Sequence, residues 1–322
     1  MKVLVLHSDV APDAPPEDQD TLIAACAIAA ALVSRGHEAP LAAFHLGRLA
    51  ADLAAYSPDV VFNLVEGIDG KGQLAYRAPE MLAALGVRFT GTGAEGLIVT
   101  GDKPRTKMLL IRAGLPTPDW SAPPLWNGLD DKPADHWIVK SADEDASVGL
   151  DDGAVVGAAE VKARVAQSAA RYGGRWFAER FIDGREFNVA VIERAGAPLV
   201  LPMAEMTFES WPALRPRIVG YTAKWDDASF ESVKTVRRFG VEQREPGLAR
   251  ELGFLCEESW SLFGCSGTAR VDFRVTPQGE PLILEVNPNP GIAPDAGLVA
   301  AAAEAGMSYA DLIEGIVLEA LR

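Results

Sequence analysis

Between Gly267 and Gly291 the chain reads GTARVDFRVTPQGEPLILEVNPNPG, two apolar runs separated by Thr-Pro-Gln-Gly-Glu. The separator is turn chemistry, so Thr268–Val275 and Pro281–Asn287 predict a β-hairpin. Strand side chains alternate between faces, so Arg270 and Asp272 share a face, as do Glu285 and Asn287. With the loop at residues 277–280, Asp272 comes opposite Glu285 and Arg270 opposite Asn287. Two carboxylates directly across a strand pair repel each other. A divalent cation resolves this, and Asp, Glu and Asn offer only hard oxygen ligands, which suit Mg²⁺ carrying phosphates. The alternative is an exposed face with scattered charges. The interleaved Val271, Phe273, Leu284 and Val286 are strongly apolar, however, so one face is core and the polar face stands apart from it.

Two further groups fit a phosphorylated ligand. Lys140 ends the apolar run 137–139, and Ala-Ser-Val-Gly, with Ser147, follows in an acidic loop. A lysine on a strand with a hydroxyl and loop N–H groups makes a phosphate cradle. Further on, Glu179-Arg180-Phe181-Ile182 runs into Asp183-Gly184, and Glu186 follows. There, backbone groups and Glu179 could pair with a purine edge while Glu186 accepts from ribose hydroxyls.

The elements that position these residues fall into three stretches. Apolar strands over 2–7, 59–65 and 87–90 alternate with helices over 21–35 and 74–85, a βαβ pattern that implies a parallel sheet. Ligands gather beyond the carboxyl ends of such strands, here from residue 7 onward and at 63–72. The connection APDAPPEDQD is either a solvent loop ending in an N-cap at Asp20 or a substrate contact. No Gly-x-Gly-x-x-Gly follows the first strand, so a dinucleotide site has no support. A second stretch has a helix over 102–113, a connection over 116–133, strands over 136–141 and 175–182, and a helix over 158–172. The third has strands over 185–193 and 198–206, an irregular stretch over 209–238, a helix over 247–263, the hairpin, and a closing helix from residue 298.

At 322 residues the chain is long enough for two or three domains. Its 45 acidic and 30 basic residues give a net charge of −15, which would repel a polyanion, so nucleic acid is excluded as a partner. ATP with Mg²⁺ is not excluded, because a few local lysines decide that. MKVLVLHSD lacks the apolar core of a signal peptide, and no uncharged run is long enough to span a membrane. Cys26, Cys256 and Cys265 lack Cys-x-x-Cys spacing and read as core or inert thiols of a reducing, cytoplasmic protein.

From about residue 59 onward the chain resembles the ATP-grasp superfamily and, within it, the D-alanine–D-alanine ligase family. The matching segments are DVVFNLVEG, MLAALGVRFTGTG, TGDKPRTKMLLIRAGLPTP, WIVKSADEDASVGL, AERFIDGREFNVAVI, YTAKW, GTARVDF and LILEVNPNPG. The resemblance implies an α/β fold, α+β in its C-terminal part, with three domains. These are a Rossmann-like parallel-sheet domain at 1–98, a central ATP-grasp subdomain at 99–184, and a C-terminal domain at 185–322 carrying metal and substrate sites. It further implies that Lys103 and Lys140 touch the phosphates or adenosine, with Ser147 in the phosphate loop. Glu179, Arg180, Phe181 and Ile182 would form the adenine hinge, with Leu284 beside the nucleotide and Glu186 on the ribose. Lys224 would hold a phosphate, Arg270 the charge developing on the reacting carboxyl, and Asp272, Glu285 and Asn287 two Mg²⁺ ions, for which Mn²⁺ can substitute. The implied reaction phosphorylates a small-molecule carboxylate with ATP and joins the acyl phosphate to an amine. A homodimer is implied as well.

The substrate half departs from the family. The Gly-Gly-x-Ser-x-Glu signature is absent, and the corresponding region is HSDVAPDAPPEDQD, with Glu17 as its candidate contact. His-Gly is replaced by Glu66-Gly67, the first serine of Ser-Ser-Val-Gly by Ala146, and the tyrosine of Ala-Lys-Tyr by Trp225. Beyond Gly291, the serine that holds a carboxylate aligns with Ala296, beside Asp295. A lost hydroxyl and gained carboxylates favour a cationic or hydroxylated second substrate over free D-alanine, unless Glu66 and Asp295 are merely solvated. A genuine D-alanine–D-alanine ligase and a non-catalytic ATP-binding protein are the rival readings.

Overall fold

Val3–His7 (β1) is apolar at nearly every position because it lies in the middle of a parallel sheet, flanked by Leu41–Ala43 (β2) and Val60–Leu64 (β3). Pro16–Ser34 (α1) covers one face, while Leu49–Tyr56 (α2) and Arg77–Ala84 (α3) cover the other. In this computed structural model the described residues are 1–11, 13–129, 135–144 and 147–322, and the side chain of Glu17 is not among those described. Ala94–Thr100 (α4) and Lys103–Arg112 (α5) lead out of this sheet. Asp102 caps α5 through the Arg105 amide.

Trp120–Ser121 (β4), His136–Ser141 (β5), Val155–Gly157 (β6) and Trp176–Arg180 (β7) form an antiparallel sheet in the order β4-β7-β5-β6. Its alternation decides what reaches the ligand side. Trp137, Val139, Trp176 and Ala178 pack on Val161–Tyr172 (α6), so Ile138, Lys140 and Glu179 face away from that helix.

The largest sheet contains Arg185–Arg194 (β8), Ala197–Val200 (β9), Ala204–Phe208 (β10), Thr235–Arg238 (β11), Thr268–Val275 (β12) and Pro281–Asn287 (β13). Its order is β11-β10-β8-β12-β13, with β9 paired to the far end of β8. One face, including Phe187, Val189, Val191, Val271 and Phe273, packs on Pro246–Phe263 (α10). On the other face Ala190 and Ile192 join the core shared with α1, Gly297–Glu304 (α11) and Tyr309–Glu319 (α12). The stretch before β11 contains two short helices, Tyr221–Trp225 (α7) and Phe230–Lys234 (α8), and Val241–Arg244 (α9) follows it.

Several expectations from sequence require correction. The strand over 87–90 reduces to a single bridge from Val61 to Phe89. The strand over 198–206 is two strands, because β9 and β10 pair with opposite ends of β8. Asp20 is not an N-cap: α1 starts at Pro16, where proline's fixed φ suits the first turn, and Asp20 lies inside the helix. Cys26 is exposed, whereas Cys256 and Cys265 are buried; all three are free thiols. Burial pushes the Cys265 thiol up to about 12, as expected of an inert cysteine. Among the described residues, no helix is long and apolar enough to cross a membrane.

Candidate active site

The expected hairpin register is observed: Asp272 pairs with Glu285 and Arg270 with Asn287. Below Asp272 the ladder slips, Phe273 pairing with Ile283, so Leu284 is the extra residue of a bulge. On its other edge β12 meets β8, which sets Asn188 beside Asp272 and Glu186 beside Arg274. A polar row therefore crosses three strands on the face opposite α10. Its Asp272, Glu285 and Asn287 carry only hard oxygen donors on one face, a set that fits Mg²⁺.

The chain itself supplies more positive charge here than the hairpin alone suggested. Arg270 grips Asp272 with both nitrogens, Nε and Nη2 each 2.7 Å from a carboxylate oxygen, and Nη2 stands 3.9 Å from Glu285. The repulsion inferred between the two acids is thus partly offset without a metal. Burial raises the Asp272 pKa, and Arg270 opposes that rise. Burial would likewise raise Glu285, but Lys103, Lys140, Lys224 and Arg270 together hold its carboxyl at about 2. Lys224, on α7, is an exposed residue that also lines the cavity. The surrounding protein and Arg270 push its pKa down, while Glu285, Asp272 and Glu186 counteract.

A second charged group lies under the central sheet. Glu179 is buried between Lys140, 2.8 Å from Oε1, and Lys107, in closer contact with Oε2; the Lys107 and Glu179 side chains are each 1% exposed. Lys107 also donates to Thr117 Oγ1 at 2.9 Å and to the Leu284 carbonyl at 3.1 Å, tying α5 to the hairpin bulge. The Glu179 carboxylate is therefore held by two lysines, and the residue also lines the cavity. Lys103 donates to the Glu144 carbonyl at 2.8 Å. Arg180 pairs loosely with Asp119 at 3.7 Å, and Phe181 packs beside Ile138, Ala154 and Ile218. Glu186, expected on a ribose, accepts at Oε2 from Arg274 Nη2 at 2.6 Å.

The loop expected to carry phosphate contacts meets the stretch before α7. Ser147, at φ +61°, donates from Oγ to the Val219 carbonyl at 3.1 Å, and the Tyr221 amide donates to the Leu150 carbonyl at 3.1 Å. Gly220 permits this approach, since a Cβ there would lie 2.6 Å from the Leu150 oxygen. Arg215 braces the segment through Asp152 and Glu231 and stacks on Trp211. Ala146 lies outside the described residues.

These parts enclose one cavity of about 850 Å³. It is lined by Lys103, Lys140, Ser147, Glu179, Arg180, Phe181, Ile182, Glu186 and Leu284 from the nucleotide expectations. Lys224, Arg270, Asp272, Glu285 and Asn287 line it too, as do Glu66, Trp225, Gly291 and Asp295. Glu17, the remaining candidate, has no described side chain. As expected of a parallel sheet, the carboxyl ends of β1 and β3 face this cavity: Ser8 Oγ accepts from the Glu66 and Gly67 amides at 3.0 and 3.3 Å. Burial, and secondarily Asp295, raise the pKa of Asp20, and both acids line the cavity.

Sequence reasoning missed Lys107, Asn188, Arg237 and Arg274, whereas Asp20, the last residue of the APDAPPEDQD connection, lines the cavity. Lys107 follows Lys103 at helical i, i+4 spacing, which puts both on one face of α5. Asn188 and Arg274 share strand parity with Glu186 and Asp272. For Arg237, set in a stretch without periodicity, the sequence holds no such signal.

Residues 135–318 match the family model described as "D-ala D-ala ligase C-terminus". A D-alanine–D-alanine ligase of Bordetella pertussis is 31% identical over 310 residues, 94% of this chain and 91% of that protein. An uncharacterized protein of Sinorhizobium fredii is 32% identical over 310 residues, 94% and 89% of the two chains. The crystal structure of D-alanine–D-alanine ligase from Bacillus anthracis complexed with ATP has the same fold, with a TM-score of 0.77 at 20% identity, covering 100% of this chain and 98% of that one. The chain belongs to the D-alanine–D-alanine ligase-like family of ATP-grasp enzymes, ATP-dependent ligases that form C–N bonds.

Proposed function

We propose that this protein phosphorylates a small-molecule carboxylate with ATP and joins the acyl phosphate to an amine other than free D-alanine. The observation that carries the second half is the far end of the cavity. There Ala296 offers no hydroxyl, and two acids, Asp20 and Asp295, line the wall. Such an end favours an amine substrate bearing a further positive charge or hydroxyls.

The chemistry follows from the charges. A carboxylate is a poor acyl donor, because oxide would have to leave. Transfer of the γ-phosphoryl group to a carboxylate oxygen gives an acyl phosphate and ADP. The amine then attacks the carbonyl carbon, the C–O bond to phosphate breaks, and the amine sheds a proton, leaving an amide and inorganic phosphate. In this reading Arg270 neutralises charge on the reacting carboxyl oxygens, and Lys103, Lys140 and Lys224 neutralise the phosphates. Asp272, Glu285 and Asn287 would hold two Mg²⁺ ions, which when bound spread the phosphate charge. Lys107 positions Glu179, and Glu179 in turn positions Lys140.

The same reading takes the three sheets as three units, at 1–98, 99–184 and 185–322, and the protein as a homodimer; light scattering tests the latter. A genuine D-alanine–D-alanine ligase is the second reading, favoured by the name of the Bordetella pertussis relative. ADP release measured with D-alanine alone, and with panels of other carboxylates and amines, decides between them. Robust formation of D-alanyl-D-alanine would refute a different substrate pair.

A further inference from the structure

Three arginines present themselves to the cavity from the C-terminal sheet: Arg270, Arg274 and Arg237. Two have carboxylate partners within the chain. Arg270 holds Asp272 at 2.7 Å, and Arg274 holds Glu186 at 2.6 Å. Arg237, half-buried on the edge strand β11, differs: among the described residues its guanidinium has neither a hydrogen-bond nor an ion-pair partner. Burial lowers its pKa, Asp295 pulls it back up, and Arg270 pushes it further down. A desolvated guanidinium without a bound anion is costly, because its donors lose water and gain nothing in return.

The position of this guanidinium says which anion it suits. β11 pairs with β10 so that Arg237 lies opposite Met206, and both line the cavity. The side chain reaches the start of α11: its Nη2 lies 3.6 Å from where a Cβ on Gly297 would stand, an ordinary contact distance. Ala296, just before Gly297, gives the helix no side-chain cap. Asp295 precedes it, and Arg270, on the reacting-carboxyl side, is close enough to act on Arg237 electrostatically. One molecule can therefore touch the reaction zone at Arg270 with its amine and Arg237 with an anionic end. A planar guanidinium with free donors matches a carboxylate in a two-point contact.

We propose that Arg237 is a specificity residue that grips the carboxylate of the amine substrate, which makes that substrate an amino acid rather than a simple amine. This deepens the proposed function and rests on it for the roles of amine and acyl donor. It also divides the labour at that end of the cavity. Arg237 takes the anionic group, where a hydroxyl at position 296 would otherwise be called for, and Asp20 and Asp295 face the remainder of the same molecule. A decarboxylated amine would leave Arg237 unpaired beside Arg270, so it is selected against as well as less attracted.

The test is binding of matched pairs, each proteinogenic amino acid and its D-enantiomer against the corresponding carboxamide. Calorimetric titration into the full chain is run with a non-hydrolysable ATP analogue and Mg²⁺. At least one amino acid should bind the wild type about 10- to 100-fold more tightly than its carboxamide. Arg237→Gln should erase that ratio, Arg237→Lys should restore part of it, and affinity for the ATP analogue should not change in either. The inference is overturned if carboxamides bind as well as acids, if R237Q keeps the preference, or if no amino acid binds. Failure of the proposed reaction reads differently: an Arg237-dependent acid preference without ADP release would leave this inference standing and remove the ligase reading.

Discussion

Lys107 allows the buried charge network to be tested quantitatively. Its ammonium reaches the Glu179 carboxylate, Thr117 Oγ1 and the Leu284 carbonyl, with almost no solvent contact. Lys107→Met keeps the length of the side chain and removes all three contacts. Breaking a buried ion pair from one side costs about 3–5 kcal/mol, because the remaining charge loses its partner. Lys140 still holds the other oxygen of Glu179, so the lower end, about 3 kcal/mol, is expected. Glu179→Gln should cost a similar amount, and the double variant clearly less than the sum, because each single change removes the same contact.

The pH dependence has a definite sign. Burial would raise the Glu179 pKa, but Lys107 and then Lys140 outweigh it and hold it below the ordinary 4.5. A carboxylate with a depressed folded-state pKa contributes stability above its unfolded-state value and loses it as pH falls through the folded-state value. Urea unfolding at a series of pH values from neutral downward should show a steep acid loss in the wild type and a shallower one in K107M. Free-energy changes that add within about 0.5 kcal/mol across the cycle would show that the pair is not coupled, and the positioning role would fall.

Arg270→Ala and Glu285→Ala should each lower amine-dependent ADP release about a hundredfold or more while the far-UV circular dichroism stays that of the wild type. Near-normal turnover in either would exclude its assigned role. Gly220→Ala places a methyl carbon 2.6 Å from the Leu150 oxygen, so it should displace the Ser147 loop and raise the KM for ATP. An unchanged KM would mean that the loop contact does not serve the nucleotide. Chelation by EDTA should stop ADP release, with Mg²⁺ or Mn²⁺ restoring it; turnover that survives chelation contradicts the assignment of Asp272, Glu285 and Asn287.

The hairpin was legible because its turn and the two-residue strand period together set the register, leaving one way to align Asp272 with Glu285. Lys140, Ser147 and the run from Glu179 to Glu186 were legible as an ordered series, and the structure brings them to one cavity. What stayed hidden depends on how distant elements dock. Nothing local to Lys107 says that α5 will bury it against Glu179 and the Leu284 carbonyl, since helix lysines are ordinarily solvated. Arg270 as the partner of Asp272 was hidden by the same logic that placed both on one face, which leaves open whether such neighbours meet each other or a ligand. Asp20 was misread because Pro16 starts the helix a full turn before the acid that looked like its cap. Arg237 sits in a stretch whose sequence has no period, and its meaning comes only from β11 joining the sheet edge.

The most direct test of the central claim is product analysis by mass spectrometry of ATP–Mg²⁺ reactions with paired carboxylates and amines, followed alongside ADP release. The account predicts that ADP forms only when both partners are present, that the product is their amide with one phosphate released per bond, and that D-alanine alone is a poor substrate. Efficient synthesis of D-alanyl-D-alanine would contradict the substrate assignment, and ADP release without any amide product would contradict the reaction itself.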